Sequence, residues 1–298
     1  MRRAGRLIAL PGNEDLAARL GKGLNLPWEA LVYRRFPDGE SYLRIDSDLH
    51  GTSAILVATL NDPDARIPAV LFAADLARDL GAARVGLVCP YLCYMRQDQR
   101  FRPGEALTSR SFARWLSGHF DWMVTVDPHL HRYASLDEIY DLESSVVSAA
   151  PAIAAWIEAH VEAPVLIGPD AESEQWIRAV AGTHGWPWRV FSKTRHGDRE
   201  VSMVLPDLEP ISGRQPVVVD DIISSGSTIV QAARHLNEAG LAAPIVIGVH
   251  GLHDDQARDR LRQAGVVRLV CTNSVPTSES EIDLSDLLSS SIRRLAGG

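Results

Sequence analysis

Short apolar runs alternate with amphipathic segments along this chain, and the alternation occurs twice. ARIPAVLFAADLARDLGA (65–82) spaces its apolar residues for a helix ending at Gly81, and ARVGLVCPYL (83–92) follows as a buried strand stopped by Pro90. SRSFARWLSGHF (109–120) is again helical, and DWMVTVDPH (121–129) is a strand ending in polar residues. The second half repeats the rhythm. A helix (150–160) leads to the strand APVLIGPD (163–170), a helix (172–185), the strand QPVVVDDII (215–223) and a helix (227–240), with two more strands at 243–252 and 267–275. This order predicts an α/β fold with a mainly parallel sheet flanked by helices, built once in each half. DEIYDLESSVV (137–147) reads as an irregular connector, so two domains are expected, 1–145 and 146–298.

Composition narrows the function. The 298 residues are 46% hydrophobic and 23% charged, which excludes dominant disorder. No apolar stretch approaches the roughly 18 residues of a membrane span, so no membrane is expected as a partner. Thirty Lys and Arg against 38 Asp and Glu leave a formal charge of -8, against general nucleic-acid binding. A small anionic ligand, met by a few cations and backbone amides, is compatible with that charge. Cys89, Cys93 and Cys271 form an odd set without CxxC, and the first residues lack the apolar region and cleavage site of a signal peptide. A cytoplasmic, reducing location is expected.

In open α/β sheets, ligands bind outside the carboxyl ends of strands. That rule selects Asp127, His129, Asp170, Asp220, Asp221 and the loop after them. VVVDDIISSGST (217–228) runs three β-branched residues into paired carboxylates and then into small residues at a helix start. Ser224, Ser225, Gly226, Ser227 and Thr228 let a backbone rich in unpaired N–H groups approach a phosphate, with hydroxyls as further donors. Asp220 and Asp221 are acceptors suited to the vicinal hydroxyls of a sugar. A plain strand–turn–helix corner, with Ser227 or Thr228 capping the helix, accounts for the small residues but not for the two carboxylates. No GxxxxGK[ST] loop occurs.

The loop resembles the ribose-5-phosphate loop of the ribose-phosphate diphosphokinase family, also called phosphoribosyl diphosphate synthetases, and is shared with phosphoribosyltransferases. Four further segments resemble that family in its own order: RRFPDGES (34–41), PYLCYMRQDQRFRPGEALTSR (90–110), VDPHLH (126–131) and KTRHGDREVSM (193–203). The resemblance runs from about residue 6 to 295. It implies two similar phosphoribosyltransferase-like domains, the first binding ATP and the second ribose 5-phosphate. It further implies transfer of the ATP diphosphate to the anomeric hydroxyl of ribose 5-phosphate, with Mg2+ as cofactor and AMP as the second product.

Residue by residue, the resemblance has Ser224 to Thr228 hold the 5-phosphate and Asp220 and Asp221 take the ring hydroxyls. Arg96 and Gln97 contact ATP, with Asp98 beside them. Phe36, Asp38, Gly39 and Glu40 form the loop that receives adenine and its ribose, contributed in the family by a neighbouring subunit; a homo-oligomer with the ATP site at a subunit interface is therefore expected. His129 and Asp170 approach Mg2+, with Asp127 as a further candidate, and Lys193 and Arg195 close over the transferring phosphates. By spacing alone KTRHGDRE reads as a solvated hairpin of mixed charge, and the resemblance reverses that reading. One departure stands out: family members commonly follow the aspartate of the second domain with two glycines, and here Glu172 and Ser173 follow in PDAESEQW. Three rival readings share parts of the pattern. They are a regulatory homologue without turnover, a phosphoribosyltransferase, and a zinc hydrolase using His129, His131, His250 and His253.

Overall fold

The computed structural model describes residues 5–130, 132–196, 200–204 and 211–297, with residues 193–196 and 200–204 described by their backbone. His131 and the stretches 197–199 and 205–210 lie outside the described residues. Contacts divide the chain into two units, 1–147 with 284–298, and 148–283.

The first unit opens with β1 (Gly5–Ala9), α1 (Glu14–Leu24) and β2 (Trp28–Ala30), followed by a hairpin of β3 (Val32–Arg35) and β4 (Ser41–Arg44). It continues with β5 (Ser53–Val57), α2 (Pro63–Asp79), β6 (Arg84–Cys89), α3 (Thr108–His119), β7 (Trp122–Val126) and β8 (Glu143–Val147). Its six-stranded sheet has the order β2-β1-β5-β6-β7-β8, every pair parallel. All five residues of β5 and of β7 are buried, as a sheet covered on both faces requires. Strand order reverses between β1 and β5. α1 packs against a C-terminal helix, while α2 and α3 pack together with Ile67, Val70, Phe112 and Leu116 in their core.

The second unit repeats this plan. α4 (Ala150–His160) leads into β9 (Pro164–Gly168), α5 (Glu174–Gly182), β10 (Trp188–Val190) and a hairpin of β11 (Ser192–His196) and β12 (Glu200–Val204). Then come β13 (Gln215–Ile223), α6 (Ser227–Glu238), β14 (Ile245–Gly251), α7 (Asp255–Gln263), β15 (Arg268–Thr272) and β16 (Ser280–Ile282). The sheet order is β10-β9-β13-β14-β15-β16, again parallel throughout. Each hairpin interrupts the chain at the same point of the plan and forms a separate two-stranded antiparallel sheet.

Two expectations change. The connector 137–147 is not irregular throughout, since Glu143–Val147 is the edge strand β8, with Ser145 and Val147 turned inward and Glu143 and Val146 exposed. That alternation was hidden by serines and one glutamate. The last helix, α8 (Ser285–Ala296), belongs to the first unit instead of the second half of the chain. Leu288, Ile292 and Leu295 bury one face of it. Arg84 Nη1 donates to the Leu295 carbonyl at 3.0 Å, and Arg294 Nη2 to Ser145 Oγ at 2.7 Å.

Candidate functional site

The most developed corner is the end of β13. The strand runs through Asp220, half-buried, and Asp221, 8% exposed, before the chain turns at Ser224 and Ser225. The Asp221 amide donates to Asp220 Oδ1 at 3.1 Å. Gly226 is the N-cap of α6 at φ 69°, a left-handed conformation that glycine adopts without a Cβ penalty. No side chain caps this helix. Neither Ser227 nor Thr228 occupies the cap position; the Ser227 amide donates to Ser225 Oγ at 3.5 Å, a long contact that a stronger acceptor at the helix start could replace. From α7, Arg260 Nη2 donates to the Ser225 carbonyl at 3.0 Å, adding positive charge behind the loop. Sequence reasoning missed Arg260, because its helix lies more than thirty residues downstream of the motif.

β9 and β13 flank the point where strand order reverses, and the turn carrying Asp170 follows β9. Asp170 caps a short 3-10 turn (Ala171–Ser173): its Oδ1 accepts from the Glu172 amide at 3.1 Å, and Ser173 Oγ donates to the Asp170 carbonyl at 2.5 Å. Ser173 is buried and Glu172 points to solvent. A capping box thus closes the turn without any positive φ at 170–173, which is how it forms without the two glycines. Lys193 and Arg195 lie on β11, paired in register with Met203 and Val201 of β12.

In the first unit, the segment after β6 is held from two sides. Arg96 is exposed, Gln97 half-buried, and the Asp98 side chain only 2% exposed. Ser109 Oγ donates to the Gln97 carbonyl at 3.0 Å and Thr108 Oγ1 to Gln97 Oε1 at 3.2 Å, tying the segment to the start of α3. Arg132 Nη1 reaches both Asp98 oxygens at 2.8 and 3.1 Å, and Tyr133 OH donates to the Asp98 carbonyl at 3.3 Å. Arg132 and Tyr133 follow β7, as do Asp127 and His129. Two non-glycine residues here occupy the left-handed region, Tyr94 at φ 60° and Asp127 at φ 32°. Such backbone costs of order 1–3 kcal/mol and clusters at functional sites. Burial, followed by the bond from Tyr94 OH to Asp64, pushes the Tyr94 phenol up to about 12. Arg132 was not among the expected residues; the nearest signal was an arginine just past the polar end of β7.

Phe36, Asp38, Gly39 and Glu40 form the tip of the β3–β4 hairpin. The Gly39 amide donates to the Phe36 carbonyl at 2.9 Å and the Phe36 amide to the Glu40 carbonyl at 2.8 Å. Pro37 and Asp38 occupy the turn, Asp38 Oδ1 accepts from the Glu40 amide at 3.2 Å, and Gly39 takes φ 94°. A separate cavity of about 240 Å³ lies where strand order reverses in this unit, lined in part by Leu10, Tyr33, Arg35, Thr59, Asp62 and Arg66. None of the residues expected to contact ATP lines it.

Among the described residues, no group of three or more His, Cys, Asp or Glu side chains could hold a metal ion. His250 Nδ1 is 2.9 Å from Ser274 Oγ and His253 Nε2 is 3.2 Å from Glu279 Oε2, so both histidines engage protein partners instead of forming a zinc site; His131 lies outside the described residues. Asp127 follows β7 in the first unit and Asp170 follows β9 in the second; carboxylate oxygens are donors of the kind Mg2+ prefers, an ion that keeps several waters and leans on substrate phosphates. No helix among the described residues is long and apolar enough to cross a membrane.

Comparison with known proteins agrees over the whole chain. Residues 6–118 match the model for the N-terminal domain of ribose phosphate pyrophosphokinase, and residues 135–286 match that for the phosphoribosyl transferase domain. A ribose-phosphate pyrophosphokinase of Methanopyrus kandleri is 31% identical over 98% of this chain and 99% of its own. One of Sulfolobus acidocaldarius is 32% identical over 93% of this chain and 95% of its own. The crystal structure of phosphoribosylpyrophosphate synthetase from Mycobacterium smegmatis superposes with a TM-score of 0.85 at 25% identity, covering 98% of this chain and 99% of that one.

Proposed function

This chain belongs to the ribose-phosphate pyrophosphokinase family and is an enzyme of that class, and from that premise we propose that it transfers the β and γ phosphoryls of ATP together to ribose 5-phosphate. The anomeric oxygen attacks the β-phosphorus and the bond to the α,β-bridging oxygen breaks. The anomeric proton is lost, and AMP and 5-phosphoribosyl 1-diphosphate result.

The observation that carries this reading is the corner after β13. Gly226 in the left-handed conformation starts α6 and lets the backbone of Ser224 to Thr228 approach closely, with only a long contact from the Ser227 amide to Ser225 Oγ to displace and Arg260 behind the loop, so the helix start suits the 5-phosphate. Asp220 and Asp221 accept the ring hydroxyls just before it. Arg96 and Gln97 hold the ATP phosphates on a segment kept rigid by Asp98. Lys193 and Arg195 neutralise charge as the diphosphate moves, the main demand of phosphoryl transfer. Mg2+, when bound, supplies further charge neutralisation; His129 in the first unit and Asp170 in the second are the residues proposed to approach it, with Asp127 as a further candidate.

The hairpin tip with Phe36, Asp38, Gly39 and Glu40 stands outside the sheet with Phe36 38% exposed, and in this reading it serves the ATP site of a neighbouring copy in a homo-oligomer. Three buried, unpaired cysteines fit a reducing compartment, and we assign the protein to the cytoplasm.

Incubation with ATP, Mg2+ and ribose 5-phosphate tests the reading: AMP and phosphoribosyl diphosphate should appear in equal amounts. Binding of both substrates without AMP would instead select a regulatory homologue. In titrations, Asp220→Ala should weaken ribose 5-phosphate binding more than ATP binding, and the reverse order would reject the division of roles between the units.

A further inference from the structure

The two faces of the β3–β4 hairpin differ in what they hold. Cross-strand register pairs Tyr33 with Leu43, Arg34 with Tyr42 and Arg35 with Ser41. Alternation therefore sets Tyr33 and Arg35 on one face and Arg34, Phe36 and Tyr42 on the other. The first face is an anchor. Arg35 Nε donates to Tyr33 OH at 3.0 Å, Arg35 Nη2 donates to the Ala65 carbonyl of α2 at 3.1 Å, and Tyr33 OH lies 3.3 Å from Ser41 Oγ. The second face carries an aromatic corner. Phe36 and Tyr42 meet edge to face, with centroids 6.3 Å apart and planes at 89°. The Arg34 guanidinium fills the angle, 4.3 Å from the Phe36 centroid and 4.5 Å from that of Tyr42. Among the described contacts Arg34 makes no ion pair with a carboxylate, so its cation is committed to the two rings.

An exposed phenylalanine at a turn tip has several side-chain rotamers open to it, and stacking a ligand on it costs the freedom lost. A cation seated on one ring face removes that freedom beforehand and leaves the other face for a flat ligand. Tyr42, directly across the ladder, keeps the guanidinium from swinging away.

We propose that Arg34, backed by Tyr42, is a positioning residue that fixes the Phe36 ring for stacking on the nucleobase of ATP. This rests on the reading of Phe36 as a nucleobase contact. Steady-state kinetics on the full chain, with melting temperatures as a check on folding, test it through Phe36→Ala, Arg34→Ala, Arg34→Lys and the double Ala variant. Arg34→Ala should raise KM for ATP about twofold to fivefold, the scale of an exposed cation–π contact, leaving kcat and KM for ribose 5-phosphate unchanged. Arg34→Lys should recover part of the loss, and the double variant should be no worse than Phe36→Ala. If Phe36→Ala raises KM while Arg34→Ala matches wild type, or if the two losses simply add, Arg34 does not act through Phe36. If Phe36→Ala leaves KM for ATP unchanged, the nucleobase role of Phe36 fails, and Arg34 with it.

Discussion

Arg132 grips Asp98 through one nitrogen shared between both carboxylate oxygens, at 2.8 and 3.1 Å, while the Asp98 side chain is 2% exposed and that of Arg132 47%. The pair ties the segment after β6 to the loop after β7, so Arg96 and Gln97 share a frame with Asp127 and His129. Arg132→Ala strands a nearly buried carboxylate, although water reaches part of the gap the arginine leaves. Stability should fall by about 1–3 kcal/mol, read from the urea midpoint, and KM for ATP should rise. Arg132→Lys should recover only part, because an ammonium cannot reproduce the planar guanidinium. An unchanged midpoint in Arg132→Ala would show the pair to be ornamental.

Lys193 sits on a hairpin that forms its own small sheet beside the main one. Removing its side chain should leave the melting temperature within about a degree while turnover drops by roughly three or more powers of ten, the range of phosphate clamps. Equal turnover in Lys193→Ala would remove it from the mechanism.

Cys89, Cys93 and Cys271 are buried and unpaired. Burial raises all three thiols above their ordinary range, Cys271 to about 12 with Glu279 adding to the effect. At pH 8 the native protein should therefore resist an aromatic disulfide reagent, and three equivalents should react once it is denatured. A fast stoichiometric thiol in the native state would contradict this burial.

Glu279 carries an acid-sensitive contact. Burial alone would raise its carboxyl, but hydrogen bonds from Ser278 and His253 and the charge of Arg258, at 2.8 Å, outweigh that and hold it below the ordinary carboxylate range. A depressed pKa means the stabilisation is fully present above about pH 4.3 and is lost as pH falls through the folded value. Melting temperature should thus decline on acidification, with a shallower acid limb in Glu279→Gln. Identical limbs in the two proteins would remove Glu279 from the acid response.

Both parallel sheets were legible because strands covered on two faces read as unbroken apolar runs, as in VVV before Asp220 or all of WMVTV (122–126). The hairpins were harder to read. VYRR (32–35) and SYLR (41–44) are short and largely uncovered, so no burial pattern marks them. The edge strand ESSVV (143–147) does alternate, but a buried serine and an exposed valine reverse the usual polarity and concealed it. α8 has a clear apolar stripe, but its partner, α1, lies over 260 positions away in the chain, and no local signal names it. The phosphate corner was legible because its small residues and carboxylates are contiguous. Arg132 and Arg260 were not, because each acts across a fold contact that spacing does not encode.

Neither hairpin contributes a rung to the ladders of its neighbouring sheet. The arms bearing Phe36 and Lys193 add no strand to either main sheet, and the first is tied down through Arg35 and the Ala65 carbonyl instead. Insertions, deletions or charge changes along them leave every rung of the main sheets in place, so new contacts can be tried there while the folded frame persists.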